Sequence, residues 1–142
     1  MIALKREGRV PEAPVILCVD DDPSILESLR RVFRGERCTV LTAQTPQRAL
    51  EILDEENVGI LMADQRMPGM YGSELLKEAQ LRSPHTVRVL LTGYAGTSMV
   101  SGPLLEGVEF IVAKPWNDRV LRRTIRGLLE GIRRPEPLRS SA

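Results

Sequence analysis

Aromatic side chains are scarce in this sequence of 142 residues: one Trp, two Tyr and two Phe, 4% in all. No aromatic platform for stacked bases can be built from so few, and neither a recognition helix nor a zinc site accompanies them, so direct nucleic-acid binding is not expected. Histidine is scarcer still. The single His85 sits in the loop-like stretch RSPHT and reads as neither a metal ligand nor a phosphocarrier. Only two cysteines occur, Cys18 and Cys38, in or beside apolar runs and without a CxxC spacing. They read as buried free thiols of a reducing, cytoplasmic setting. Long apolar runs are absent, so no segment is expected to span a bilayer. The start, MIALKREGRVPEAP, carries charges where a secretory signal needs its apolar region. Charge of one sign is missing too: a net charge of +1 gives no global field toward nucleic acid or a membrane surface. No internal repeat or low-complexity block is found.

What is present is an ordinary globular composition, 42% hydrophobic and 27% charged, in a length that suits one domain. Residues 1–13 read as a charged, proline-closed lead-in, 14–132 as the domain, and 133–142 as a tail or severed linker. Within the domain, five short apolar runs alternate with helical patterns. VILCV (15–19), TVLT (39–42), GILMA (59–63), VRVLL (87–91) and FIVA (110–113) read as strands. Asp22 and Pro23 open a first helix with Ile25, Leu29, Val32 and Phe33 inward, stopped by Gly35. Thr45 and Pro46 open a second, with Ala49, Ile52 and Leu53 inward. Ser73 is read as the cap of a third, carrying Leu75, Leu76 and Ala79. The fourth helical segment, around residues 97–106, is weak because Gly102 and Pro103 lie inside it. A last helix starts at Asn117 or Asp118 with Leu121, Ile125, Leu128 and Ile132 as its inward stripe. Five β-α units in succession predict an α/β fold, a five-stranded parallel sheet with helices on both faces.

In such a sheet the reactive crevice lies beyond the carboxyl ends of the strands. The residues that follow the runs are therefore informative: Asp20, Asp21 and Asp22 after the first, Asp64 after the third, Thr92 after the fourth, Lys114 and Pro115 after the fifth. Singly, each is unremarked: an acidic run is often a solvated cap, a lone Asp a turn residue, a Lys before Pro a surface residue. Brought to one edge, the carboxylates repel unless a cation joins them, and hard oxygen ligands suit Mg²⁺ or alternatively Mn²⁺. A lysine to balance charge and a hydroxyl to donate complete a set for phosphoryl transfer, with a carboxylate as nucleophile.

The stretches VILCVDDDPSILESL, ILMADQRMPGMYGSELL, VLLTGYAG and IVAKPW resemble, in order and spacing, the signature regions of response-regulator receiver domains of two-component signalling. The resemblance implies the flavodoxin-like strand order 2-1-3-4-5. It implies Asp64 as phosphoacceptor, served by a sensor histidine kinase or histidine phosphotransfer protein, without separate enzymatic turnover. Asp21 would bind Mg²⁺ directly and Asp20 mainly through water, with Asp64 and the Arg66 carbonyl in the same shell and Asp22 kept as helix cap. Thr92 and Lys114 would contact the phosphoryl group, with the amides of Gln65 and Gly93 as further donors. The usual switch pair would be Thr92 and Ile111, although the second is commonly aromatic; Phe110, its neighbour, points to the other face. Arg66 and Tyr94 would flank the phosphoryl group and shield it from water, whereas Tyr71 reads as an exposed loop residue. Phosphorylation would change the partner preference of the surface formed by the fourth helix, fifth strand and fifth helix, which also admits a homodimer or an output partner or domain. Arg119, Arg122, Arg123 and Arg126 form an outward stripe, read as a solvated face or as a source of inter-subunit or acidic-partner contacts. Two rival readings remain: a receiver-like interaction module that works without phosphorylation, and a haloacid-dehalogenase-type phosphatase using Asp20 in a D-x-D pattern.

Overall fold

The computed structural model describes residues 13–93 and 106–133. The lead-in, most of the weak helical segment, Tyr94 and most of the tail lie outside the described residues. Five strands form one parallel sheet in the order β2-β1-β3-β4-β5: β1 Val15–Val19, β2 Thr39–Ala43, β3 Val58–Asp64, β4 Val87–Thr92 and β5 Phe110–Ala113. Among the described residues four helices accompany them: α1 Pro23–Phe33, α2 Pro46–Glu55, α3 Gly72–Arg82 and α4 Asp118–Arg133, the last helix of the sequence pattern. Alternation along the strands splits the core into two layers. Leu17, Leu61 and Leu90 pack on one face with Leu53 of α2 and Leu76 of α3. Ile16, Ile60 and Leu91 pack on the other with Leu29 of α1 and Ile125 of α4. β3 is buried along its whole length, as a central strand covered on both faces must be.

Local chemistry sets the helix starts. Asp22 caps α1, its Oδ1 accepting from the Ser24 N–H at 2.9 Å; Thr45 caps α2 by accepting from Arg48 N at 3.1 Å. Asn117 caps α4, its Oδ1 accepting from Val120 N at 3.0 Å. The start of α3 departs from expectation. Ser73 is not its cap: the helix begins at Gly72, and Ser73 lies in the first turn with a buried hydroxyl. The physical reason is that Gln65, across the loop, already accepts from the Ser73 N–H at 2.8 Å.

Two side-chain patterns shift as well. The inward stripe of α4 is Leu121, Ile125 and Leu129, with Leu128 half-buried and Ile132 37% exposed. A helix repeating every 3.6 residues drifts around its own axis, so i+8 replaces i+7 over the longer reach. In the arginine stripe, Arg122 donates to the Val32 carbonyl at 2.9 Å and Arg126 pairs with Glu36 at 2.9 Å. These two tie α4 to the end of α1 and its following turn; Arg126 stays exposed as expected, whereas Arg122 is half-buried and leaves the outward face. Arg119 and Arg123 are exposed. A further polar tie was not anticipated. Arg88 of β4, buried on the α3 side, donates to the carbonyls of Gly107 (2.6 Å) and Thr86 (2.9 Å) and pairs with Glu109 (3.2 Å). It holds the strand's partner segment in place ahead of β5. Among the described residues no helix is long and apolar enough to cross a membrane.

Candidate functional site

Because the strands are parallel, the ends of β1, β3, β4 and β5 lie along one edge, and the residues that follow them meet there. Asp20, Asp21 and Asp64 each offer a carboxylate oxygen within 4.8 Å of the others. Asp20 and Asp64 are buried, Asp21 exposed. Lys114 reaches in from the end of β5: its Nζ donates to Asp64 Oδ1 at 2.7 Å and to Asp20 Oδ2 at 3.3 Å. Thr92, at the end of β4, is buried at the same edge, and the Lys114 N–H donates to the Thr92 carbonyl at 3.0 Å. Asp20 Oδ1 also accepts from the Asp22 N–H at 2.9 Å.

The electrostatics follow from burial. Burial pushes the Asp20 carboxyl above its ordinary value and the Asp64 charge adds to this, against the pull of the Asp22 N–H and Lys114. For Lys114 burial works to lower the ammonium, but the Asp64 and Asp20 carboxylates together outweigh it and hold it above its ordinary value. Asp22 is different in kind: hydrogen bonds from Ser24 hold its carboxyl below the usual range, as befits a helix cap. Among the described residues the site thus joins three carboxylates to the Lys114 ammonium, and the atoms it offers a metal are hard oxygen donors. That donor set fits a divalent cation of the Mg²⁺ type and not a soft metal.

The remaining expected residues are distributed unevenly. Arg66 and Gly93 are exposed at the same edge, in the loops after β3 and β4. The Gln65 N–H continues the β3–β4 ladder, donating to the Leu91 carbonyl at 3.0 Å, so it is already committed and is not a ready donor to a bound group. Tyr71 is 53% exposed in the loop, as expected. Ile111 lies on β5 opposite Leu90 and is exposed, as is Phe110 beside it. Sequence reasoning missed the groove that borders the cluster. Ile25, Ser28 and Arg31 of α1 face Lys114, Pro115 and Trp116 across a cavity of about 760 Å³. The Trp116 indole is held there by donating to Asp118 Oδ1 at 2.9 Å; its signal in sequence was only the aromatic after Lys114-Pro115.

A model of the response regulator receiver domain matches residues 16–126. The chain belongs to that family. It is a receiver domain of two-component signalling. The hydrogenase transcriptional regulatory protein HoxA of Cupriavidus necator is 34% identical over 116 residues, covering 81% of this chain and 24% of that protein. The transcriptional regulatory protein CpxR of Klebsiella pneumoniae is 36% identical over 115 residues, 80% of this chain and 48% of that protein. The chain therefore spans less than half the length of either regulator. Among solved structures, the signal receiver domain of an HD domain-containing protein from Pseudomonas fluorescens superposes with a TM-score of 0.77 at 30% identity, covering 84% of this chain and 96% of that one. A CheY-like receiver domain protein from Methanospirillum hungatei gives 0.76 at 31% identity, covering 84% and 95%. Receiver domains bind Mg²⁺ at an acidic pocket, and the cluster of Asp20, Asp21 and Asp64 is the corresponding feature here.

Proposed function

We propose that this receiver accepts a phosphoryl group on Asp64 from a sensor histidine kinase or histidine phosphotransfer protein, and thereby switches a partner-binding surface. The observation that carries the reading is the Lys114 ammonium seated against both Asp64 and Asp20 beside the exposed Asp21. A carboxylate oxygen of Asp64 attacks phosphorus, the bond from phosphorus to the donor's imidazole nitrogen breaks, and the nitrogen keeps the electron pair. An acyl phosphate remains on Asp64. Asp20, Asp21, Asp64 and the Arg66 carbonyl would hold Mg²⁺ (Mn²⁺ as substitute), whose charge offsets that of the phosphoryl oxygens. Lys114 exchanges its bond to Asp64 for one to a phosphoryl oxygen, and the Thr92 hydroxyl and Gly93 N–H donate to others. The groove between α1 and the loop after β5 opens at Lys114, so a donor protein seated there would bring its phosphorylated side chain to Asp64.

The shift of Thr92 toward the new group is felt on β5, where Ile111 acts as a packing switch in place of an aromatic residue. Phe110, Ile111 and Val120 are exposed, and β5 and α4 line a cavity of about 290 Å³. This face, with the segment ahead of β5, is the surface offered to an output domain, an output partner or a second copy. The receiver domain works in the cytoplasm and reaches DNA or membrane, if at all, only through an output partner or domain. Arg66, with Tyr94, shields the acyl phosphate; faster decay in Arg66→Asn or Tyr94→Ala is expected. The phosphatase alternative is disfavoured because Asp22, the second acid of its D-x-D pattern, is spent on capping α1. Intact mass after incubation with Mg²⁺ and acetyl phosphate tests the reading. A gain of one phosphoryl group in wild type but not in Asp64→Asn is expected; a folded wild type that gains none from either acetyl phosphate or a phosphorylated phosphotransfer protein supports the phosphorylation-independent module.

A further inference from the structure

We infer that Gln65 is a positioning residue for the metal-binding edge of this site, acting through the loop between β3 and α3 instead of touching the phosphoryl group. The inference rests on the phosphoacceptor reading above. Gln65 directly follows Asp64 and is 8% exposed, although glutamine is mostly a surface residue. Its bonds run in two directions. The backbone N–H donates to the Leu91 carbonyl at 3.0 Å, which ties it to β4. Its carbonyl accepts from Gly72 N at 3.0 Å, and its side-chain Oε1 accepts from Ser73 N at 2.8 Å, which tie it to the first turn of α3.

The chain that leaves Gln65 thus returns to Gln65, and residues 66–71 form a loop closed at its base by this one residue. Asp64 stands immediately before the closure and Arg66, the expected carbonyl ligand, immediately after it. The approach is close: a methyl group added at Gly72 would overlap the Asp64 carbonyl oxygen. A helix start needs acceptors for its first N–H groups, and the usual short polar cap is missing because Tyr71 stands at that position. Gln65 supplies the acceptor from across the loop. The same bond that caps α3 therefore fixes where the loop leaves Asp64, and with it the direction of the Arg66 carbonyl. Ser73 provides an internal control, since its Oγ is buried without a partner while its N–H makes the bond.

Calorimetric titration with Mg²⁺, beside thermal unfolding, tests this. Residues that orient metal ligands from outside the coordination shell change affinity by roughly 10–100-fold when replaced, so Gln65→Met is expected to weaken Mg²⁺ binding about tenfold. Gln65→Glu, which keeps an acceptor at the same reach, and Ser73→Ala, which keeps the N–H, are expected to bind no more weakly than wild type. If Gln65→Met fails to fold, Gln65→Asn, one methylene too short to reach Ser73, takes its place with the same expectation. A lowered Tm with unchanged Mg²⁺ affinity, or a Gln65→Glu as weak as Gln65→Met, overturns the inference alone. Absence of Mg²⁺ binding in wild type, or binding indifferent to Asp64→Asn, overturns it together with the phosphoacceptor reading.

Discussion

The Lys114 ammonium stands 2.7 Å from Asp64 Oδ1, a contact between residues 50 apart in sequence that joins the ends of β5 and β3. It pairs with both buried acids, and without it Asp20 and Asp64 repel each other at close range. Lys114→Gln should lower the stability of the metal-free protein by on the order of 1–3 kcal/mol, because a buried charge is left without its counter-charge. Saturating Mg²⁺ should restore most of the loss. Chemical denaturation with and without Mg²⁺ checks it; an equal deficit in both conditions would point to lost packing.

Asp20 behaves in the opposite sense. Its folded-state carboxyl is raised by burial above the ordinary value. Below the unfolded-state value both states hold the proton and nothing is lost; as pH rises through the folded-state value, ionisation in the buried site removes stability. Asp20→Asn should therefore raise Tm in metal-free buffer at neutral pH and flatten the decline with rising pH in the acid range. It should also abolish the extra stability gained from Mg²⁺. A Tm series from pH 3 to 8, about the span in which carboxylates titrate, decides; a variant less stable than wild type at neutral pH contradicts the argument.

Arg88 is a structural counterpart, buried far from the acids. Its removal takes the guanidinium from the Gly107 and Thr86 carbonyls and from Glu109, whose carboxylate keeps only the residue-88 backbone N–H at 3.2 Å. Arg88→Met should cost about 2–4 kcal/mol. Arg88→Lys should recover little of that, because one ammonium does not reproduce the spread of a guanidinium's donors. Urea unfolding of the three proteins measures the difference.

Cys18 lies in the middle of the sheet, and burial pushes its thiol from 9.0 up to about 12. Since the thiolate is the reactive form, a thiol reagent near pH 8 should modify the half-buried Cys38 first and reach Cys18 only after unfolding. A thiol whose folded value is raised contributes stability that is complete below the unfolded value and lost as pH rises through the folded one. Alkaline loss of stability is thus expected between pH 9.0 and about 12. Mass mapping of the labelled protein gives the order; prompt labelling of Cys18 in the native state would count against its burial.

Much of this was legible in the chain itself. Apolar runs of strand length and their regular alternation with helical stripes specified the parallel sheet; a run such as GILMA reads as unbroken because β3 is buried on both faces, although FIVA reads the same way and lies mostly exposed at the sheet's edge. Asp22 as the cap of α1 followed from its own place beside Pro23, a local effect. Ser73 did not follow, because the acceptor that displaces it as a cap arrives from Gln65 across a loop. Arg122 misled for the same reason: its partner, the Val32 carbonyl, lies 90 residues away in sequence. Arg88 carried no signal at all, being a charge inside a strand whose acceptors are chiefly backbone carbonyls.

The sequence by itself determined which residue types stand after each strand, and with them the chemistry that a shared edge would bring together. Only the tertiary structure decided which of these groups touch, how deeply each is buried, and which donors are already taken. Hydrophobic periodicity is a property of neighbours along the chain, whereas distances such as that from Lys114 to Asp64 are set by how separate strands and their end loops register against one another.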